Sequence, residues 1–155
     1  MSRWSVPLLL STLLISGITA AQSAPDPLSQ HYSAAQTFQL GGDFERAEAE
    51  YNQVLALALQ RMASVVAAEK NDSEKATRLL EDAVAVEPSY LDARIDLALF
   101  YFRAGHLDRA NAQAAEVVKA DPRNFRALQL LGNVEFAQGN FAAAAEHLHT
   151  ALGLQ

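Results

Sequence analysis

The sequence predicts an all-α fold, a solenoid built of antiparallel helix pairs. Three observations predict it. Residue types recur in one register: Gly105 and Gly139, Pro88 and Pro122, and Ala76, Ala110 and Ala144 are spaced 34 positions apart. Between these markers, Ala and Leu fall at three- and four-residue spacing, the period of a helix face. Each helical stretch then closes on a Gly or Asn followed by a polar residue, or on "EP" or "DP". A repeat of this length is one supersecondary unit. It cannot bury its apolar faces alone and must stack on its neighbours.

The elements follow in chain order. The opening stretch carries Arg3, then an apolar run from Val6 to Ile18, then small residues to Ala21. That order marks residues 1–21 as a signal peptide, with cleavage before Gln22. The apolar run of about 13 residues is shorter than the roughly 20 needed to span a bilayer. An uncleaved membrane anchor is the alternative, and the only route by which this sequence would meet a membrane. The signal implies a periplasmic or secreted protein. With no Cys in the chain, neither a lipid attachment at the cut nor a disulfide framework is available.

Residues 22–27 read as a linker, and 28–155 as the repeat domain, in units of about 28–56, 57–90, 91–124 and 125–155. Each unit offers two helices: 28–40 and 44–56, 57–70 and 73–86, 91–104 and 107–119, 125–137 and 141–153. Gly42, Asn71, Gly105 and Gly139 supply the turn within each pair, where a left-handed residue ends the first helix. Asp43, Asp72, His106 and Asn140 stand in the capping slot of the second helix. Pro88 and Pro122 end the second helix, because the residue before proline leaves helical geometry. The period slips once, since Gly42 and Asn71 are only 29 apart. No Pro or Gly interrupts 44–70, and Tyr51, Leu55, Leu59, Met62 and Val66 form an unbroken stripe. The favoured reading is one long helix over 44–70, with a sharp bend near Leu57 as the alternative.

The marks "LALFYFRAGHLDRANAQAAEVVKADP" (Leu97, Tyr101, Gly105, Leu107, Ala110, Pro122) and "LLGNVEFAQGNFAAAAEHLHTAL" (Leu131, Gly132, Gly139, Phe141, Ala144, Leu148, Ala151) resemble the tetratricopeptide repeat family. Looser matches extend the resemblance over roughly 28–155. Two positions depart from the pattern. Glu135 stands where the family usually has an aromatic residue, and Ala114 stands where Tyr51 and Leu148 fill the core face. Both predict a locally thinner core. The resemblance implies a right-handed solenoid whose first helices line a concave face. It also implies a scaffold that binds a peptide or protein partner, with no cofactor and no chemistry of its own.

On that face the expected groove residues are Asp92, Ile95, Leu99, Phe102 and Arg103 of the third unit. From the fourth come Arg126, Gln129, Asn133 and Phe136. Leu99, Phe102 and Phe136 would give an apolar floor. Arg103 and Arg126 could pair a carboxylate, and Gln129 and Asn133 could bond a peptide backbone. Aromatics at helical spacing also serve as ordinary core, and "FYF" at 100–102 covers more than one face. The Lys and Asn one turn apart that mark the family's carboxylate-clamp members are missing here, since Gln129 precedes Asn133.

Other function classes find little support. The net charge is −6, without a basic stripe, which argues against nucleic acid. His147 and His149 are two apart, about 200° around a helix, so they do not form a metal pair. His106 reads as a turn residue, and His31 has no ligand-type neighbour. Asp92 and Asp96 share a face but lack a closed pocket to separate their pKa values. No nucleophile constellation or phosphate-cradling loop is present. Leu148 and Leu152 sit where a second helix normally meets the next unit. They predict an exposed end interface, met by a longer chain, a partner or a second copy. The competing readings are the N-terminal repeat region of a longer exported enzyme, and an envelope assembly subunit that self-associates through its C-terminal helix.

Overall fold

The structure, a computed structural model, describes residues 26–154. The expected signal peptide over 1–21 and the linker positions 22–25 lie outside the described residues. Seven helices follow in order: α1 (Pro27–Leu40), α2 (Phe44–Lys70), α3 (Ser73–Val86), α4 (Leu91–Arg103), α5 (Leu107–Ala120), α6 (Phe125–Ala137) and α7 (Phe141–Leu152). There is no strand among the described residues. The eight helical stretches become seven helices, because 44–70 is one helix of 27 residues, as the favoured reading has it, without the bend near Leu57. Nothing in that stretch frees a backbone N–H or relaxes φ, so the helix has no cause to break.

Consecutive helices pack as hairpins, and two layers result. α2, α4 and α6 touch in succession on one side, while α3, α5 and α7 pack behind them. The long α2 serves two units. Its first part pairs with α1, and its C-terminal part pairs with α3 and meets α4. Asp26, just before α1, reaches Arg61 well along α2, and the ion pair holds the Asp26 carboxyl below its usual range. The Arg61 guanidinium is raised by the same contact.

The turns obey the sequence. Gly42, Gly105 and Gly139 have φ of 79°, 77° and 84°, and Asn71 is the one non-Gly residue at positive φ among the described residues, 49°. Side-chain caps are less uniform. Asp43 accepts from the Arg46 amide and Asp72 from the Lys75 amide, as expected. His106 and Asn140 make no side-chain cap, whereas Asn124 does, accepting from the Ala127 amide at 3.1 Å. Asn124→Ala is therefore expected to lower the urea midpoint by an amount worth about 1 kcal/mol, and Asn140→Ala by only a few tenths.

Alanine builds much of the core. Ala76, Ala110 and Ala144 are all buried at the same register position, so paired helices approach closely. Leu80, Leu97, Val117 and Val134 are the largest fully buried side chains. Ala114 is buried as well, so the small residue is matched by close packing rather than left over a gap.

Tyr101 ties α4 to α3. Its ring is buried and its hydroxyl donates to Glu81 Oε1 at 2.5 Å. Burial first, then the Glu81 hydrogen bond and charge, push the phenol up to about 12 from its ordinary 10.0. The folded chain holds this proton more tightly than the unfolded chain. Stability from this group is thus full below pH 10 and falls between about 10 and 12. Tyr101→Phe should flatten the loss of urea stability across that window; an unchanged slope would assign it to other groups.

Candidate functional site

The layer of α2, α4 and α6 carries the candidate site. Period and helix geometry together place its side chains. Adjacent first helices run in the same direction and are one repeat apart. Residues separated by one repeat less one helical turn, 30 positions, therefore face each other. Tyr90 bonds Gln60, and Arg126 Nη2 donates to Asp96 Oδ1 at 3.0 Å, both at that separation. The other Arg126 nitrogen donates to Asp92 Oδ1 at 3.5 Å. Gln60 Nε2 donates to Asp96 Oδ2 at 2.6 Å. A polar ladder thus crosses the face from Tyr90 and Gln60 through Asp96 to Arg126.

Beside this ladder, a shallow cleft of about 170 Å³ opens between α4 and α6. Ile95, Leu99, Arg126, Gln129, Leu130 and Asn133 line it. The structure therefore brings together five of the nine residues expected in the groove. Leu99 and Leu130 contribute apolar surface, and Gln129 and Asn133 are exposed at the edge. Neither amide has a hydrogen-bond partner among the described residues.

The other four stand elsewhere. Asp92 is exposed and turned to Arg126 rather than to a ligand. Arg126 is accordingly occupied by two carboxylates, so it is not a free carboxylate anchor. Phe102 is half-buried and packs against the core, which removes it from the groove floor. Arg103 lines clefts between α4 and the α2–α3 hairpin instead. Phe136 is 61% exposed, and its ring meets Phe141 edge to face at 5.3 Å. The sequence reading missed Gln60 and Tyr90. The 30-residue offset was the available signal for both.

The C-terminal hairpin corrects a second expectation. Leu152 is exposed, but Leu148 is half-buried and seats on Gly132 of α6. It faces its own unit, across the α6–α7 hairpin. The same hairpin pairs His147 with Glu135, Nδ1 to Oε2 at 2.8 Å. Glu135 is only 8% exposed, so the position holds a paired carboxylate where a thinner core was expected. His149 is exposed and makes no contact with this pair. Similarly, His31 has a partner after all, Glu50 Oε2 at 2.7 Å across the first hairpin.

These features define an all-α solenoid of the tetratricopeptide-like fold, and a tetratricopeptide repeat family model matches residues 67–134. No curated protein sequence matches the chain. Among solved structures, a crystal structure of MamA is similar with TM-score 0.59 and 21% identity, over 84% of this chain and 79% of that one. The second tetratricopeptide domain of Spaghetti (RPAP3), bound to the HSP90 peptide SRMEEVD, is similar with TM-score 0.64 and 17% identity, over 70% and 99%. YrrB, described as a repeat protein with an unusual peptide-binding site, has TM-score 0.59 and 21% identity over 83% and 69%.

Proposed function

We propose that this chain is an exported protein-interaction scaffold that takes a partner's peptide segment in the cleft between α4 and α6. One observation carries the reading. Ile95, Leu99, Arg126, Gln129 and Asn133, separated in sequence, converge on one cleft with an apolar floor and two unpartnered amides at its edge. An unpartnered carboxamide beside an apolar floor suits a peptide backbone, since it offers both donors and an acceptor. The peptide-bound Spaghetti domain and YrrB, with its unusual peptide-binding site, support the same use of the fold. The internal pairing of Arg126 sets the partner's chemistry. The segment presents a branched apolar side chain to Leu99 and Leu130, and its backbone meets Gln129 and Asn133. An acidic tail is not required. The export signal read at 1–21 supports a site of action outside the cytoplasm.

Selection of a displayed peptide library on the immobilised chain, followed by fluorescence polarisation on the winning peptide, tests the reading. Gln129→Ala with Asn133→Ala should weaken binding about tenfold, from the loss of two hydrogen bonds. Both residues are exposed, so the helical circular dichroism and melting curve should be unchanged. A selected peptide that binds the double variant equally well would place the groove elsewhere.

A further inference from the structure

A larger cleft lies outside that groove. A cleft of about 500 Å³ opens between the α2–α3 turn and the α4–α5 turn. That volume is within the range of small-molecule sites. One wall is aromatic, from Phe100 and Tyr101, and Ala67 of α2 faces it. Two smaller residues, Ala63 and Ser64, extend the seam along α2, where a further cleft of about 340 Å³ shares Phe100, Ala67 and Arg103.

The charges of the cleft do not cancel. Three arginines and two glutamates line it. Arg78 pairs with Glu74 at 2.5 Å, and Arg109 approaches Glu81 at 3.9 Å while lying over the Tyr101 ring at 5.2 Å. Arg103 makes no hydrogen bond or ion pair among the described residues. One guanidinium is therefore left over, at the join of both clefts and beside the Phe100 ring. In a chain of net charge −6, with more carboxylates than basic groups, an unpaired arginine against an aromatic wall lacks a structural role. A single excess positive charge suits a monoanion, and a dianionic phosphate would meet Glu74 and Glu81 without matching compensation.

We infer that this cleft is a second binding site, which takes a small apolar or aromatic group carrying one carboxylate, with Arg103 as the anion anchor. Arg103 would meet the carboxylate through its planar fork, and Phe100 and Tyr101 would cover the apolar body. The carboxylate belongs either to a free small molecule or to the chain terminus of a peptide.

Nuclear magnetic resonance titration of the full chain tests the site, reading the Arg103 side-chain N–H and the Phe100 and Tyr101 rings. Phenylacetate should shift these signals and saturate at about 1 mM, as suits a ligand of this size. Phenylacetamide, the same body without the charge, should bind at least about tenfold more weakly, and so should phenylacetate to Arg103→Gln. Acetyl-Gly-Gly-Phe with a free terminus separates the sources. Saturation by phenylacetate alone identifies a small-molecule site, and tighter saturation by the peptide identifies a partner's terminus. Arg103 is exposed and makes no hydrogen bond or ion pair among the described residues, so the variant should melt like the parent. The inference is overturned if neither acid saturates, if the amide matches the acid, or if Arg103→Gln binds as well as the parent.

Discussion

Gly132→Val is expected to lower stability by about 2–3 kcal/mol. The position is buried in α6, and helix propensity alone favours valine there by several tenths of a kcal/mol. Space decides the sign. A Cβ at Gly132 would lie 2.7 Å from Leu148 Cγ and 3.2 Å from the Ala144 carbonyl oxygen. The leucine end can turn aside, but the backbone oxygen moves only with α7. The two helices of the last hairpin would have to separate, which loosens Ala144 and Val134 as well. Urea denaturation gives the magnitude, and Leu148→Ala identifies the contact. In the Gly132→Val background, Leu148→Ala should cost about 1 kcal/mol less than in the parent, because it removes the obstructing atoms. Strict additivity of the two changes would show that α6 and α7 do not meet at this point.

The contact also shows what kind of information the sequence carries plainly. Turns are explicit, because Gly42, Gly105, Gly139 and Asn71 adopt the left-handed geometry that few other residues tolerate. The repeat register then places helices and their inward faces, which is why Ile95, Leu99, Arg126, Gln129 and Asn133 were named together. Three consecutive aromatics at 100–102 defeat the same logic. Spread over about 200° of helix, they give no single face, and packing alone decides that Tyr101 is buried and Phe102 half-buried. That neither Arg126 nor Arg103 is a free anchor in the groove has another cause. Charge pairing depends on side-chain placement, and Arg126 pairs with two carboxylates while Arg103 pairs with none among the described residues. Glu135 predicts a thinner core only when its position is set against the family pattern alone. Across the last hairpin it meets His147, the partner that makes its burial tolerable.

Leu80→Ala is expected to cost about 2–5 kcal/mol, the range for a buried leucine that leaves a cavity. Leu80 is 1% exposed on α3, in the core that α2, α3 and α4 share. Much of that core is alanine, which buries little area per residue. The few large side chains therefore carry a disproportionate share of the burial, and alanine neighbours cannot swing in to fill a vacated volume. Position matters further because a repeat array is held by hairpins and by the contacts between them. Leu80 lies where the C-terminal part of α2, shared by two units, passes its contacts on to α4. A cavity there weakens the junction between the first part of the chain and the remainder. Hydrogen exchange on the Leu80→Ala chain should show faster exchange in α1–α3 than in α6 and α7, while Leu152→Ala, at a side chain 68% exposed, should change neither. Uniform acceleration across all seven helices would mean that the array unfolds as one unit and that the junction at α2 is no weaker than any other.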